Sequence, residues 1–395
     1  MHSGKPIRLL YWTEFFWPTI GGVETLAAQS IPVLKKRGYD ITVVTTQQFD
    51  YPEQEILDGT TIHRLPFHEV LRSRDPEAFI RLRRKIASIR DDVAPDLIHA
   101  NLYGPSIALH LESNRRAPIP TVVAIHADFS ESGGMGGIVH RACGEAAWVT
   151  AVSDATLGDI RSMFPEIQEK SSRIYNGLAA GNVKPTPMPA GPPHILCIGR
   201  LIREKGFDVA LDAFANVRES FPDARLTVAG DGPERTALEE QARSLGLDGS
   251  VTFPGWVEPD AVFDLISRST VMAVPSRWRE PFGLVAIEAA LMARPVVAAR
   301  TGGLAEVVVD GKTGYLVGKE NPLALADRLK LLLSQPRLAE ELGQTARKDT
   351  IERFSIDTNV DAYDALYRRV LEGSLDQSAV PQNAVTGSNQ PPPSA

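Results

Sequence analysis

A chain of 395 residues with 43% hydrophobic side chains can bury a sizeable core but is long for one domain, so two domains are expected. Its 42 lysines and arginines against 49 aspartates and glutamates give a formal charge of −7, with neither half net basic, which argues against nucleic acid as a main partner. No apolar run reaches the roughly 20 residues of a membrane span, and the first dozen residues are too short an apolar run for a signal peptide, so a soluble protein is expected.

Two cysteines, Cys143 and Cys197, stand alone in apolar sequence, which suits a reducing, cytoplasmic compartment and gives no metal-ligand spacing. Along the first half, short β-branched runs (7–12, 40–46, 96–101, 121–127 and 148–153) alternate with helical patterns, the signature of a parallel sheet covered on both faces. The helical pattern after the first run contains Pro32, which is expected to kink or divide it. Segment 182–193, NVKPTPMPAGPP, carries five prolines and is read as the interdomain linker. A second series of runs follows (194–200, 225–232, 250–257, 270–276, 295–301 and 313–317), so the fold class is α/β with two doubly wound, Rossmann-like domains. Val360, Tyr363, Leu366, Tyr367, Val370 and Leu371 then form one apolar face of a helix that must lie on another surface, and the residues from 373 read as a disordered tail. The expected divisions are 1–185, 186–350, the helix 351–372 and the tail 373–395.

In open α/β sheets ligands lie beyond the carboxyl ends of strands, so the strand-to-helix turns are the places to search. The first is the aromatic loop leading to Gly21 and Gly22, where backbone and helix N–H groups can approach an anion; an ordinary turn is the plain alternative. In the second, Arg200 and Lys205 follow a strand and precede a helix, two cations suited to a diphosphate, or else part of a solvated turn. The third, SRWREPFGLVAIEAAL, is the most specific. Glu280 lies in the loop at the mouth of a helix and Glu288 projects from that helix among apolar neighbours. A buried carboxylate needs partners; sugar hydroxyls could supply them, as could a salt bridge within the fold. A phosphate would meet the N–H groups of Phe282, Gly283 and Leu284.

Several readings are excluded. Gly311, Lys312 and Thr313 end like a P-loop, but Glu306 stands where its first glycine belongs. Gly230 and Gly232 begin a dinucleotide fingerprint that Arg235 breaks. No Asp-x-Asp pair offers a metal handle, and His99, His110 and His140 lack ligand spacing, so no metal and no cofactor are expected.

The ordered set GGVE at 21–24, GRLIREKG at 199–206, AGDGPE at 229–234, EPFGLVAIE at 280–288 and TGG at 301–303 resembles glycosyltransferase family 4 over about residues 6 to 372. The resemblance implies the GT-B fold, two Rossmann-like domains facing across a cleft with a C-terminal helix crossing back to the first. It implies a retaining hexosyltransferase whose co-substrate is a nucleotide-diphosphate sugar, UDP before GDP. It maps Gly22 close to the donor phosphates, Arg200 and Lys205 onto the diphosphate, Glu280 onto the transferred sugar, Glu288 onto the ribose, His126 onto the transferred sugar, and Trp256 and Val257 beside the base. The residues alone would make His126 a satisfied strand-end histidine. Pro281 departs from the family, where glycine is common; it removes one N–H and stiffens the loop.

The acceptor is expected to be a hydroxyl of a small molecule, a glycan or a lipid-linked sugar, bound by the first domain. Between Arg64 and Arg90 eight basic residues stand against three acidic ones, which is either the solvated side of a helix or, through 72–90, a weak peripheral contact with anionic lipid at the inner face of a membrane. The glycine-rich segment 131–137 reads either as a mobile acceptor loop or as a passive connection. A nucleotide-sugar epimerase or synthase, or a catalytically silent nucleotide-sugar module, are the alternative functions.

Overall fold

A computed structural model describes residues 5–129, 136–181 and 183–373. The expected tail lies, apart from Gly373, outside these residues, as does most of the glycine-rich segment 131–137. The chain forms two compact units, one of Met1–Val152, Leu157–Gly177 and the chain from Ile356, the other of Leu178–Ser355 with the short piece Ser153–Thr156.

The strands of the first unit are β1 (Ile7–Trp12), β2 (Tyr39–Thr46), β3 (Gln54–Leu57), β4 (Thr60–Leu65), β5 (Leu97–Leu102), β6 (Thr121–Ile125), β7 (Trp148–Ala151) and β8 (Ser171–Arg173). They lie in the order β3-β4-β2-β1-β5-β6-β7-β8, all parallel except the β3–β4 pair at the edge. Alternation of side chains divides its core in two: Leu10 and Trp12 of β1 join one cluster, Ile7, Leu9 and Tyr11 the other. The second face is covered by the helix Gly22–Lys36, which runs through Pro32 as one helix, and by the helix Ile356–Glu372. That last helix buries Val360, Tyr363, Leu366, Tyr367 and Val370, the face read from the sequence, and Tyr39 donates to Asp364 at 2.6 Å.

In the second unit β9 (His194–Ile198), β10 (Arg225–Ala229), β11 (Val251–Gly255), β12 (Val271–Val274), β13 (Val296–Ala299) and β14 (Gly314–Val317) form an all-parallel sheet ordered β11-β10-β9-β12-β13-β14. This is the doubly wound order, and its direction reverses between β9 and β12. The first sheet makes the same reversal between β1 and β5. The proline-rich segment is tied to the second unit by Arg294, whose buried guanidinium donates to the Thr186 and Pro187 carbonyls at 3.0 Å each.

Candidate functional site

In the second unit the charged residues singled out from the sequence gather at the carboxyl ends of β9 and β12, at the reversal point. After β9, Gly199 and Arg200 lead through a 3-10 turn, Arg203–Lys205, to Gly206 at φ 67°, where a Cβ would lie 2.3 Å from the Pro275 carbonyl oxygen. That close approach sets the turn against the loop after β12. There Lys205 pairs with Glu280, and buried Ser276 donates to the same carboxylate oxygen at 2.8 Å. Glu280 is thus held by a cation and a hydroxyl although only 7% exposed. Arg200 is exposed, and its side chain has no hydrogen-bond or ion-pair partner among the described residues.

Gly283 caps the helix Leu284–Leu291 at φ 104° with no side-chain hydrogen bond to the first turn; the Ala286 N–H donates to the Gly283 carbonyl at 3.0 Å, leaving those of Leu284 and Val285 available to an anion. Phe282 is buried, its ring edge-on to Phe354 at 5.5 Å, so it contributes backbone rather than surface. Glu288, one turn further on, makes no side-chain hydrogen bond or ion pair among the described residues, and burial pushes its carboxyl up to about 7. At the end of β11, Trp256 is 57% exposed and Val257 half-buried. The glycines of the remaining motifs have packing duties. A Cβ at Gly230 would lie 1.9 Å from the Gly199 oxygen, one at Gly302 2.2 Å from the Glu280 oxygen, and one at Gly303 2.4 Å from the Pro281 oxygen. They let the AGDG and TGG turns brace the two site loops.

In the first unit Gly22 opens its helix exposed, behind Gly21, with no side-chain cap. His126 follows β6. Its Nε2 lies 3.1 Å from Asn101 Oδ1, which also lies 3.0 Å from His99 Nε2, while Asn101 Nδ2 donates to Tyr11 at 3.0 Å. Since an amide oxygen only accepts, both imidazoles carry their proton on Nε2. His99 Nδ1 then accepts from Tyr367 at 2.7 Å, and His126 Nδ1 is buried without a partner among the described residues. Burial, helped by His99, lowers the His126 pKa to about 3, and burial lowers that of His99 to about 4, so both rings are neutral. Both nitrogens of His126 therefore face inward, and a hydrogen bond from its ring to a sugar requires the ring to turn out of this network. Sequence reasoning missed this chain, and Asn101 and Tyr367 with it, because its members come from four separate segments. Cys143 and Cys197 are buried, their thiols pushed up to about 12, and are core residues as expected. Among the described residues no three His, Cys, Asp or Glu side chains gather as metal ligands would.

The profile described as "Glycosyltransferase Family 4" matches residues 20–180, and that described as "Glycosyl transferases group 1" matches 182–349. A glycogen synthase of Mycobacterium tuberculosis is 30% identical over 403 residues, covering 93% of this chain and 95% of its own. The chain belongs to glycosyltransferase family 4. It is an enzyme, a hexosyltransferase of the GT-B fold. An N-acetyl-alpha-D-glucosaminyl L-malate synthase of Bacillus anthracis is 25% identical and covers 90% of this glycosyltransferase and 96% of itself. Among solved structures, a sucrose-phosphate synthase of Thermosynechococcus elongatus superposes with a TM-score of 0.79 at 22% identity, covering 94% and 100% of the two chains. The Anabaena protein HepE, solved with UDP and glucose, gives 0.74 at 21%, covering 92% and 99%.

Proposed function

We propose that this glycosyltransferase moves a hexose from a nucleotide-diphosphate donor, UDP before GDP, to a hydroxyl acceptor, with retention of anomeric configuration and without a metal or cofactor. The observation that carries the reading is the pairing of Lys205 with Glu280 beside the uncapped helix Leu284–Leu291, with the Arg200 guanidinium, unpartnered among the described residues, on the neighbouring loop. As the glycosidic bond breaks, negative charge grows on the diphosphate. Arg200, Lys205 and the N–H groups from Phe282 to Leu284 stabilise it without needing a divalent ion. Glu280, oriented by Lys205 and Ser276, accepts hydrogen bonds from hydroxyls of the transferred sugar. The unpartnered carboxylate of Glu288 takes the ribose hydroxyls, Trp256 and Val257 border the base, and the donor thus belongs to the second unit. Gly22 and His126 of the first unit serve the phosphates and the sugar, and the acceptor attacks from the leaving group's side while a donor phosphate oxygen receives its proton. UDP is preferred because HepE was solved with it.

A cytoplasmic protein with weak peripheral lipid contact is the accompanying proposal. Among the described residues no helix is long and apolar enough to cross a membrane. Of the basic stretch, Arg64 and Arg90 are buried and Arg81 and Arg83 face acidic partners, leaving Arg72, Arg74, Arg84 and Lys85 exposed and without an ion-pair partner among the described residues. The test of the central reading is incubation with UDP-glucose and GDP-mannose, with and without EDTA, and proton NMR of the anomeric signal in the product. An α product formed equally well in EDTA is expected; a β product or an absolute metal requirement overturns it.

A further inference from the structure

The turn that carries Lys205 has little of its own to hold it. It is a single 3-10 turn, Arg203–Lys205, without a side-chain cap, closed by the N–H groups of Lys205 and Gly206 on the Ile202 and Arg203 carbonyls at 3.0 and 3.1 Å. Turns this short bond with poor geometry. The ammonium at the end of a flexible four-carbon stem must nevertheless be aimed if it is to serve Glu280 and a diphosphate. The aim has to come from outside the turn.

Half-buried Arg277, in the loop after β12 and next to Ser276, grips the turn on both sides of Lys205. Its main-chain N–H donates to the Glu204 carbonyl at 2.8 Å, and that of Trp278 adds a longer bond to the same oxygen at 3.3 Å. Its guanidinium forks onto Asp208, in the first turn of the helix Phe207–Ser220, with Nη1 on one carboxylate oxygen and Nη2 on the other. Nη1 also donates to the Arg203 carbonyl at 3.3 Å. Nε donates to Glu320 at 2.9 Å; that carboxylate is exposed, so the pair adds little stability, but it engages the third edge of the guanidinium plane. A bidentate arginine–carboxylate pair is directional, which a lysine's point charge is not. Among the described residues Arg277 makes no hydrogen bond to the side chain of Lys205 or of Glu280, so whatever it does for that pair it does through the turn. We propose that Arg277 is a positioning residue for the transfer: it locks the turn Arg203–Lys205 onto the loop of Glu280 and so aims the Lys205 ammonium at that carboxylate and at the diphosphate. The diphosphate in this statement rests on the glycosyl-transfer reading, and the hold on the turn rests on the bonding alone.

A double-mutant cycle on the full chain tests it, with Arg277→Ala, Lys205→Ala and their combination assayed for kcat and donor KM and melted by circular dichroism. Arg277→Ala is expected to lower kcat by about tenfold in the parent enzyme, and by less than about twofold once residue 205 is alanine, while the loss in melting temperature is the same in both backgrounds. A merely structural role would cost the same factor of kcat with and without Lys205, and that result, or no loss in either background, overturns the proposal. Arg277→Lys keeps the charge and loses the fork, so its kcat should fall close to that of Arg277→Ala; the full parent rate in it overturns the proposal as well. Should Arg277→Ala fail to fold, Asp208→Asn, which leaves the guanidinium one acceptor, enters the same cycle with the same expectation. Hydrogen exchange of the ligand-free chain needs no turnover. The amides of residues 203–206 should exchange about tenfold faster in Arg277→Ala, and unchanged exchange overturns the hold on the turn. If no nucleotide sugar supports transfer while exchange there rises, the transfer reading fails and the hold on Lys205 stands. If transfer proceeds and the cycle is additive, the positioning role fails alone.

Discussion

Lys205 carries two tasks that a single substitution separates. Its ammonium holds Glu280 in the fold and would face the diphosphate during transfer. With Lys205 at the diphosphate as proposed, Lys205→Ala removes a charge from beside the leaving group, and loss of one such group costs on the order of a hundredfold in kcat. Glu280 keeps Ser276 as a donor in that variant, so thermal melting should shift by only a few degrees; a near-normal kcat would remove Lys205 from the site. Glu288 allows a prediction in pH. Its folded pKa, about 7, lies above that of an ordinary carboxyl because burial disfavours the charge. Between the unfolded pKa, about 4.3, and about 7, the folded state holds a proton that the unfolded chain has released. The stability from this group is therefore fully present below the unfolded pKa and is lost as pH rises through the folded one. Melting temperatures of the free enzyme across pH 4.5 to 8 should show this decline, and Glu288→Gln should flatten it. A decline of the same size in the variant would mean that the titrating group lies elsewhere.

The loops of the proposed donor site are shaped by turns from other strands, and this can be tested at the level of the element. Gly303 packs its Cα against the backbone of Pro281 and Phe282 and donates its N–H to the Glu280 carbonyl at 2.7 Å. Gly303→Ala would bring a methyl group to within 2.4 Å of a backbone oxygen, which cannot swing aside as a side chain would. Overpacking of this kind costs about 1–3 kcal/mol, and the loop carrying Glu280 would shift with it. The expected result is a lower urea midpoint together with weaker nucleotide-sugar binding; unchanged donor affinity would show that the TGG turn does not brace the loop. The same contrast explains what the sequence disclosed. Apolar runs such as ITVVTT and VVAI announce central strands because both their faces are buried, and Glu280 and Lys205 stood out because charges beside strand ends and glycines are rarely idle. The β3–β4 hairpin went unread because its strands are polar and at the edge, although Asp58 and Gly59, both at positive φ, carry the signal of a two-residue turn. β8 is three polar residues long and has no pattern to find. The pairing of Lys205 with Glu280, 75 positions apart, and the chain from Tyr367 through His99 to Asn101 depend on which strands neighbour one another, which no local period encodes.

At the scale of the whole chain, the first unit is closed by a helix that follows the second unit in sequence. The sheet face bearing Leu9, Tyr11, Ile41 and Trp148 is covered by the helix Ile356–Glu372, which arrives only after the second unit has been threaded from Leu178 to Ser355. The second unit has its own core, drawn from Ile195, Leu226, Val271, Leu329 and their neighbours, and none of that core comes from beyond residue 355. A chain ending at Ser355 should therefore keep the second unit folded and leave the first with an uncovered apolar face. Removing Val360, Tyr363, Leu366, Tyr367 and Val370 forfeits about 1.5–3 kcal/mol for each large side chain fully buried in the native state, a sum comparable to the stability of an ordinary domain. It also leaves His99 Nδ1 and Tyr39 without Tyr367 and Asp364. The truncated protein should bind a hydrophobic dye, lose a substantial part of its near-ultraviolet dichroism through the exposed Tyr11 and Trp148, and still bind UDP through the second unit. A truncated chain that melts like the full one and stays dye-free would mean that the helix is an accessory to the first unit rather than a wall of its core.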